Sequence, residues 1–99
     1  MNIKITNPAK KSLKQHYNYY KKQVSQMLAE KLKEELIFAI ESLKTHPHIG
    51  QIEEGLSSLN LGHRYIVKRH YKIIYRIDNE VIYITDFFDS RQDPFKMKG

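Results

Sequence analysis

The sequence predicts an α+β fold, β-α-α-β-β-β in chain order, with a helical hairpin packed on one face of a twisted antiparallel sheet. Three observations lead there. Apolar residues recur every three to four positions between residues 9 and 43, the period of a helix with one buried stripe. Tyr71, Ile73, Tyr75 and Ile77 alternate with Lys72, Ile74, Arg76 and Asp78, the period of a strand with one apolar and one mostly polar face. At 99 residues the chain has room for one core, burying about 60–68% of its unfolded surface, so both halves must share it. No repeat, low-complexity tract or break in composition divides the chain, and residues 1–99 read as a single domain.

Each element has its own local signal. MNIKIT alternates, with Ile3 and Ile5 on one side, and reads as a short strand. Asn7-Pro8 looks like a helix start: asparagine caps free N–H groups, and proline at the first helical position loses no hydrogen bond. Ala9, Leu13, Tyr17, Tyr20 and Val24 then form one helical face, with Lys10, Lys11, Lys14 and Lys21 largely off it. Ser25 can cap a second helix, with its stripe at Leu28, Leu32, Leu36, Ala39 or Ile40, and Leu43. Thr45-His46-Pro47 ends it, because a residue before proline avoids helical geometry. After a loop over 46–62 come three strand-like runs, near Arg64–Lys68, Tyr71–Ile77 and Val81–Phe88. Asp78-Asn79 suits a tight hairpin turn between the last two. The sheet face away from the helices is expected to be open and to carry Lys72 and Arg76.

Composition removes several function classes. There is no cysteine, so disulfides, thiolate metal sites and thiol nucleophiles are excluded. No apolar run approaches the ~20 residues of a membrane helix. The start lacks the apolar segment of a signal peptide, so a cytoplasmic location is expected. Charge is segregated within the net +6: six lysines and no carboxylate precede Glu30. A second acid-free basic block spans 61–76, with Arg64, Lys68, Arg69, Lys72 and Arg76. Such segregation suggests a polyanionic partner, nucleic acid or an acidic protein segment, against the plainer reading of a solvated surface.

The run P-x-x-G (Pro47 to Gly50), then LGHRYIVKRHYKIIYRID (61–78), then VIYITDFFDSRQDP (81–94) resembles the ParE branch of the RelE/ParE toxin superfamily. These are the toxin halves of type II toxin–antitoxin pairs, often called plasmid stabilisation proteins. The matching features are Arg64 opening a strand, the Tyr71-x-Ile73-x-Tyr75 strand, and the Ser90-Arg91-x-x-Pro94 ending. The resemblance implies a toxin silenced by a cognate antitoxin with an acidic or amphipathic C-terminal tail, needing no cofactor. Its target would be DNA gyrase in the ParE branch, or messenger RNA on the ribosome in the RelE branch.

Metal-free cleavage of a phosphodiester needs a base, cations on the developing phosphorane charge and an acid for the leaving group. By resemblance, Arg91 and Lys72 fall where the ribonucleases place catalytic arginines. Their Lys-x-Lys strand meets Tyr65, Ile66 and Val67 here, with only Lys68 nearby, and their C-terminal tyrosine has no counterpart in Phe95 or Met97. The set is incomplete, which favours gyrase. His63 and His70, bracketing the Arg64–Lys68 run, are the remaining candidates for a general base. Target- or antitoxin-binding candidates are Arg64, Lys68, Arg69, Lys72, Arg76 and Arg91. His46 and His48 on a loop do not make a four-ligand metal site. Most tyrosines lie on apolar stripes and read as core, against a base-stacking role. Glu53 and Glu54 are expected to be solvated. Arg91 either pairs with Asp89 or Asp93 and pins the tail, or offers its five-donor fork to a target.

Overall fold

The computed structural model describes residues 1–99. Strand β1 (Asn2–Ile5) leads into helices α1 (Asn7–Gln23) and α2 (Gln26–Glu41), and then into β2 (Gln51–Ile52), β3 (Arg64–Lys68), β4 (Tyr71–Asp78) and β5 (Val81–Asp89). The sheet has five strands in the order β1-β5-β4-β3-β2. No helix is long and apolar enough to cross a membrane.

The hairpin forms for the expected reasons, one residue displaced at its start. Thr6, not Asn7, caps α1, its hydroxyl accepting from Ala9 N, and Pro8 still lies in the first turn where no N–H is missed. Ser25 caps α2 by accepting from Leu28 N at 3.1 Å. A 3₁₀ turn over Ser42–Lys44 prolongs α2 toward Pro47. Leu32, Leu36, Ile40 and Leu43 meet Tyr71, Ile73, Tyr75, Ile82, Ile84 and Phe87 in the main core. Each such fully buried side chain stabilises the fold by roughly 1.5–3 kcal/mol. Leu28 and Val24, placed on the stripes by spacing, are exposed at the turn end of the hairpin.

Three expectations are corrected here. The sheet is mixed, not antiparallel, because β1 runs parallel to β5. Alternation of Ile3 and Ile5 fixes which face is buried but reads the same in either direction, so orientation was not legible. The tight turn lies one residue later than Asp78-Asn79: Asn79 and Glu80 both have positive φ (48° and 64°), the pattern of a type I′ turn. Thirdly, the face away from the helices is not open. A 3₁₀ segment, Glu54–Leu59, and the C-terminal tail cover it, so that Leu56 and Met97 pack on Ile74 and Phe88 in a second small core.

A bulge makes both cores possible. Ile74 pairs with Asp86 but Tyr75 pairs with Ile84, leaving Thr85 as the extra residue in β5. The parity of β5 flips there, so Ile82, Ile84 and Phe87 all face the helices. Thr85 and Asp86 are left for the tail. Thr85 Oγ1 donates to Lys98 O, and Lys98 N donates to Asp86 Oδ2, both at 3.0 Å.

Pro47, Gly50, Arg64 and Tyr75 form one structural unit. The fully buried Tyr75 hydroxyl donates to Pro47 O at 2.8 Å and accepts from Gly50 N at 2.9 Å. A Cβ on Gly50 would sit 2.6 Å from that hydroxyl, which is why no side chain fits there. Arg64 Nη1 donates to Gly50 O at 2.8 Å from the next strand. Tyr75→Phe should therefore destabilise the protein by about 1–3 kcal/mol, the cost of leaving buried polar groups unpaired. Denaturant melts of the two proteins check this, and equal midpoints would mean that water replaces the hydroxyl.

Candidate functional site

A cleft of about 470 Å³ opens between α1 and the end of β5, walled by Ser12, His16 and Tyr19 on one side and by Asp89, Arg91, Lys96 and Lys98 on the other. Its floor is Tyr71 and Phe87, contributed by β4 and β5. The helical period puts Ser12, His16 and Tyr19 on one side of α1, and the chain reversal after Asp89 brings Arg91 opposite them.

Arg91 is held in a defined pose. Its Nε and Nη2 donate to the two oxygens of Asp89 at 3.1 and 2.9 Å, and its backbone N donates to Asp89 Oδ1 at 2.9 Å. The guanidinium holds the Asp89 carboxyl below the usual carboxylate range, against the opposing effect of burial. Asp89 in turn raises the Arg91 pKa, so the pair is ionised throughout the physiological range. The Arg91 side chain nevertheless remains 64% exposed, so the pairing aims the fork without burying it.

Behind Arg91 stands a row of rings. Its Nη2 donates to His70 Nε2 at 3.1 Å, which requires His70 to be neutral with its proton on Nδ1. Burial pushes the His70 pKa down, and the Arg91 charge lowers it further. His70 stacks on Tyr71 with 4.3 Å between ring centroids, and Tyr71 meets His16 at 4.7 Å. His16 Nε2 donates to Phe87 O at 2.5 Å, tying α1 to the sheet beneath the cleft. The Tyr71 hydroxyl, pushed up to about 12 chiefly by burial, does not ionise and serves as packing.

Of the catalytic and binding candidates named from sequence, only His70 and Arg91 come together here, beside Asp89 and Tyr71. Lys72 lies on the tail-covered face, 2.7 Å from Glu53 and 4.3 Å from the Tyr65 ring centroid. Glu53 is only 6% exposed and is that lysine's partner, not a solvated loop residue. His63 is buried, with neither ring nitrogen hydrogen-bonded. Burial pushes its pKa down; the Gly99 backbone beside the ring offsets part of this, and Arg76 adds to it. Arg76 stacks over Tyr83 at 4.6 Å and faces Asp78 at 3.8 Å. Arg69 pairs with Glu35 of α2 through two hydrogen bonds. Lys68 borders a shallow hollow with Glu34, Glu35 and Phe38. Arg64 holds the Pro47–Gly50 loop. His16, Ser12, Tyr19, Lys96 and Lys98 were missed. His16 falls between Leu13 and Tyr20 on the buried side of α1, a signal that spacing contained, whereas the tail residues reach the cleft only because the bulge docks the tail.

Residues 3–94 match the family of the ParE toxin of type II toxin-antitoxin system, parDE. The chain belongs to the ParE toxin family. A solved structure described as the chromosomal ParDE TA system from P. aeruginosa has the same fold, with a TM-score of 0.77 at 19% identity over 90% of this chain and 95% of that one. No curated protein matches the sequence. Within the ParE family frame, the P-x-x-G loop, the Arg64 strand opening and Tyr75 are a single hydrogen-bonded unit, so these marks report the fold. Of the residues behind the resemblance, Arg91 alone is presented outward beside the cleft.

Proposed function

We propose that this ParE-family chain is a cytoplasmic toxin that inhibits DNA gyrase, is neutralised by a cognate antitoxin and serves plasmid stabilisation. The observation that carries this reading is the dispersal of the nuclease candidates. Lys72 is neutralised by Glu53 on the covered face, His63 is buried, and the Nε2 of His70 is occupied by Arg91. A phosphorane needs cations and a base converging on one point, and no hydrogen bond or ion pair joins Lys72 or His63 to Arg91. What remains outward is a fixed guanidinium fork at the rim of a cleft, suited to gripping a carboxylate or phosphate on a target. The antitoxin is expected to bring an acidic or amphipathic tail that folds as it binds.

The contact between Arg91 and His70 favours one second reading, a RelE-like endoribonuclease acting on the ribosome. Inducing the protein in cells separates the two. Gyrase inhibition should give filamentous cells, DNA breaks and an SOS response while translation continues. A primary block of translation with messages cut in the ribosomal A site, and intact DNA, would overturn the gyrase reading.

A further inference from the structure

The solvent side of α1 is unusual in its charge. Lys10, Lys11, Lys14, Lys21 and Lys22 are all exposed, and the helix has no acidic residue. At about 100° per residue the five fall within roughly 120° of the helix circumference and extend about 18 Å along its axis. The opposite side, with Ala9, Ser12, Leu13 and His16, is the one turned to the sheet. None of the five lysines is in an ion pair. Three of the four carboxylates of α2 are engaged elsewhere, Glu30 with Tyr17, Glu35 with Arg69 and Glu41 with Lys44, and the fourth, Glu34, lies in the hollow beside Lys68.

The fold does not need this arrangement. Lys10 and Lys14 repel each other one turn apart, and cations near a helix N-terminus oppose its dipole, so the first half of the stripe costs stability locally, while Lys21 and Lys22 in the last turn favour the dipole. A function is the simpler account of why it persists. We infer that the exposed face of α1 is a docking surface for the phosphate backbone of duplex nucleic acid. An acidic peptide is the poorer fit, because the stripe offers no groove and no apolar anchor; the positions between its lysines are Asn7 and Asn18, with Gln15 at its edge. Flexible ammonium groups on a convex rod suit sequence-independent phosphate contact. Past Gln15 lies the cleft, whose far wall carries Arg91, Lys96 and Lys98 together with Asp89.

The inference stands apart from the gyrase reading, since naked duplex is bound without the enzyme and either can fail alone. The test is fluorescence anisotropy of a labelled duplex with the full chain, between about 50 and about 200 mM salt. Five phosphate contacts should give a slope of log K against log salt of about −4.5, a loss of a few hundred-fold over that range. The triple variant Lys10→Gln, Lys14→Gln, Lys21→Gln should flatten the slope to about −2 while its circular dichroism stays unchanged and its melting temperature does not fall. No binding at the lowest salt, an unchanged slope in the folded variant, or tighter binding to polyglutamate than to the duplex would each overturn the assignment.

Discussion

Arg91→Ala is expected to abolish most of the toxicity of this protein while leaving its fold intact. The guanidinium is two-thirds exposed, and Asp89 keeps one hydrogen bond, from the backbone N of residue 91, when the side chain is gone. The melting temperature should therefore change little. Toxicity depends on what the fork reaches. Two of its nitrogens are spent on Asp89 and one also on His70, so the donors left over point outward from a braced base. Arg91→Lys retains the charge but not the planar fork, and should recover only part of the effect on growth. Asp89→Asn supplies the contrast: if Arg91 only pins the chain end, removing its partner should be as harmful as removing Arg91. Growth on induction, read beside melting curves, decides between them. A folded Arg91→Ala protein with full toxicity would remove Arg91 from the functional surface.

The largest stability effect should come from Phe87→Ala, a loss of about 3–5 kcal/mol, set against a total of about 5–15 for a natural domain. Phe87 is fully buried in the main core, under α1 and against Tyr71 and Ile73. Its ring also floors the cleft, so truncation leaves a cavity where α1 meets the sheet, although the hydrogen bond from His16 to its carbonyl can persist. Phe95→Ala is the internal control, since that ring is 97% exposed and its loss should fall within about 0.5 kcal/mol. Denaturant midpoints of the two variants measure the difference. Similar losses at the two positions would mean that β5 is not in the register described here.

That register marks the boundary of what could be read from the chain. Before the bulge, Ile82 and Ile84 announce the buried face of β5, and after it Phe87 and Phe88 are adjacent, so spacing alone assigns them to opposite faces without saying which is which. Thr85 decides it, and nothing about an isolated threonine foretells an extra residue in a strand. The cleft follows the same logic. Arg91 was legible as an outward fork past the last strand, and its pairing with Asp89 was one of two stated alternatives. The Arg91–His70 contact was not, because His70 lies in the β3–β4 turn and meets Arg91 only through the pairing of β4 with β5. For Lys72 the alternating pattern placed the side chain on the correct face and gave no hint of Glu53, which arrives from a loop 19 residues away.

Taken alone, the sequence determined the helical hairpin, through the serine cap, the leucine stripe of α2 and the proline stop. It also determined which face of β4 meets the helices, and the lysine face of α1, since these depend on neighbours within a turn or two of the chain. Only the tertiary structure decided that β1 runs parallel to β5, that the tail closes the second face of the sheet, and that Arg91 rather than Lys72 stays exposed. Each of those rests on pairings between distant segments. Alternation carries no direction, and a one-residue slip or bulge reverses every side chain beyond it.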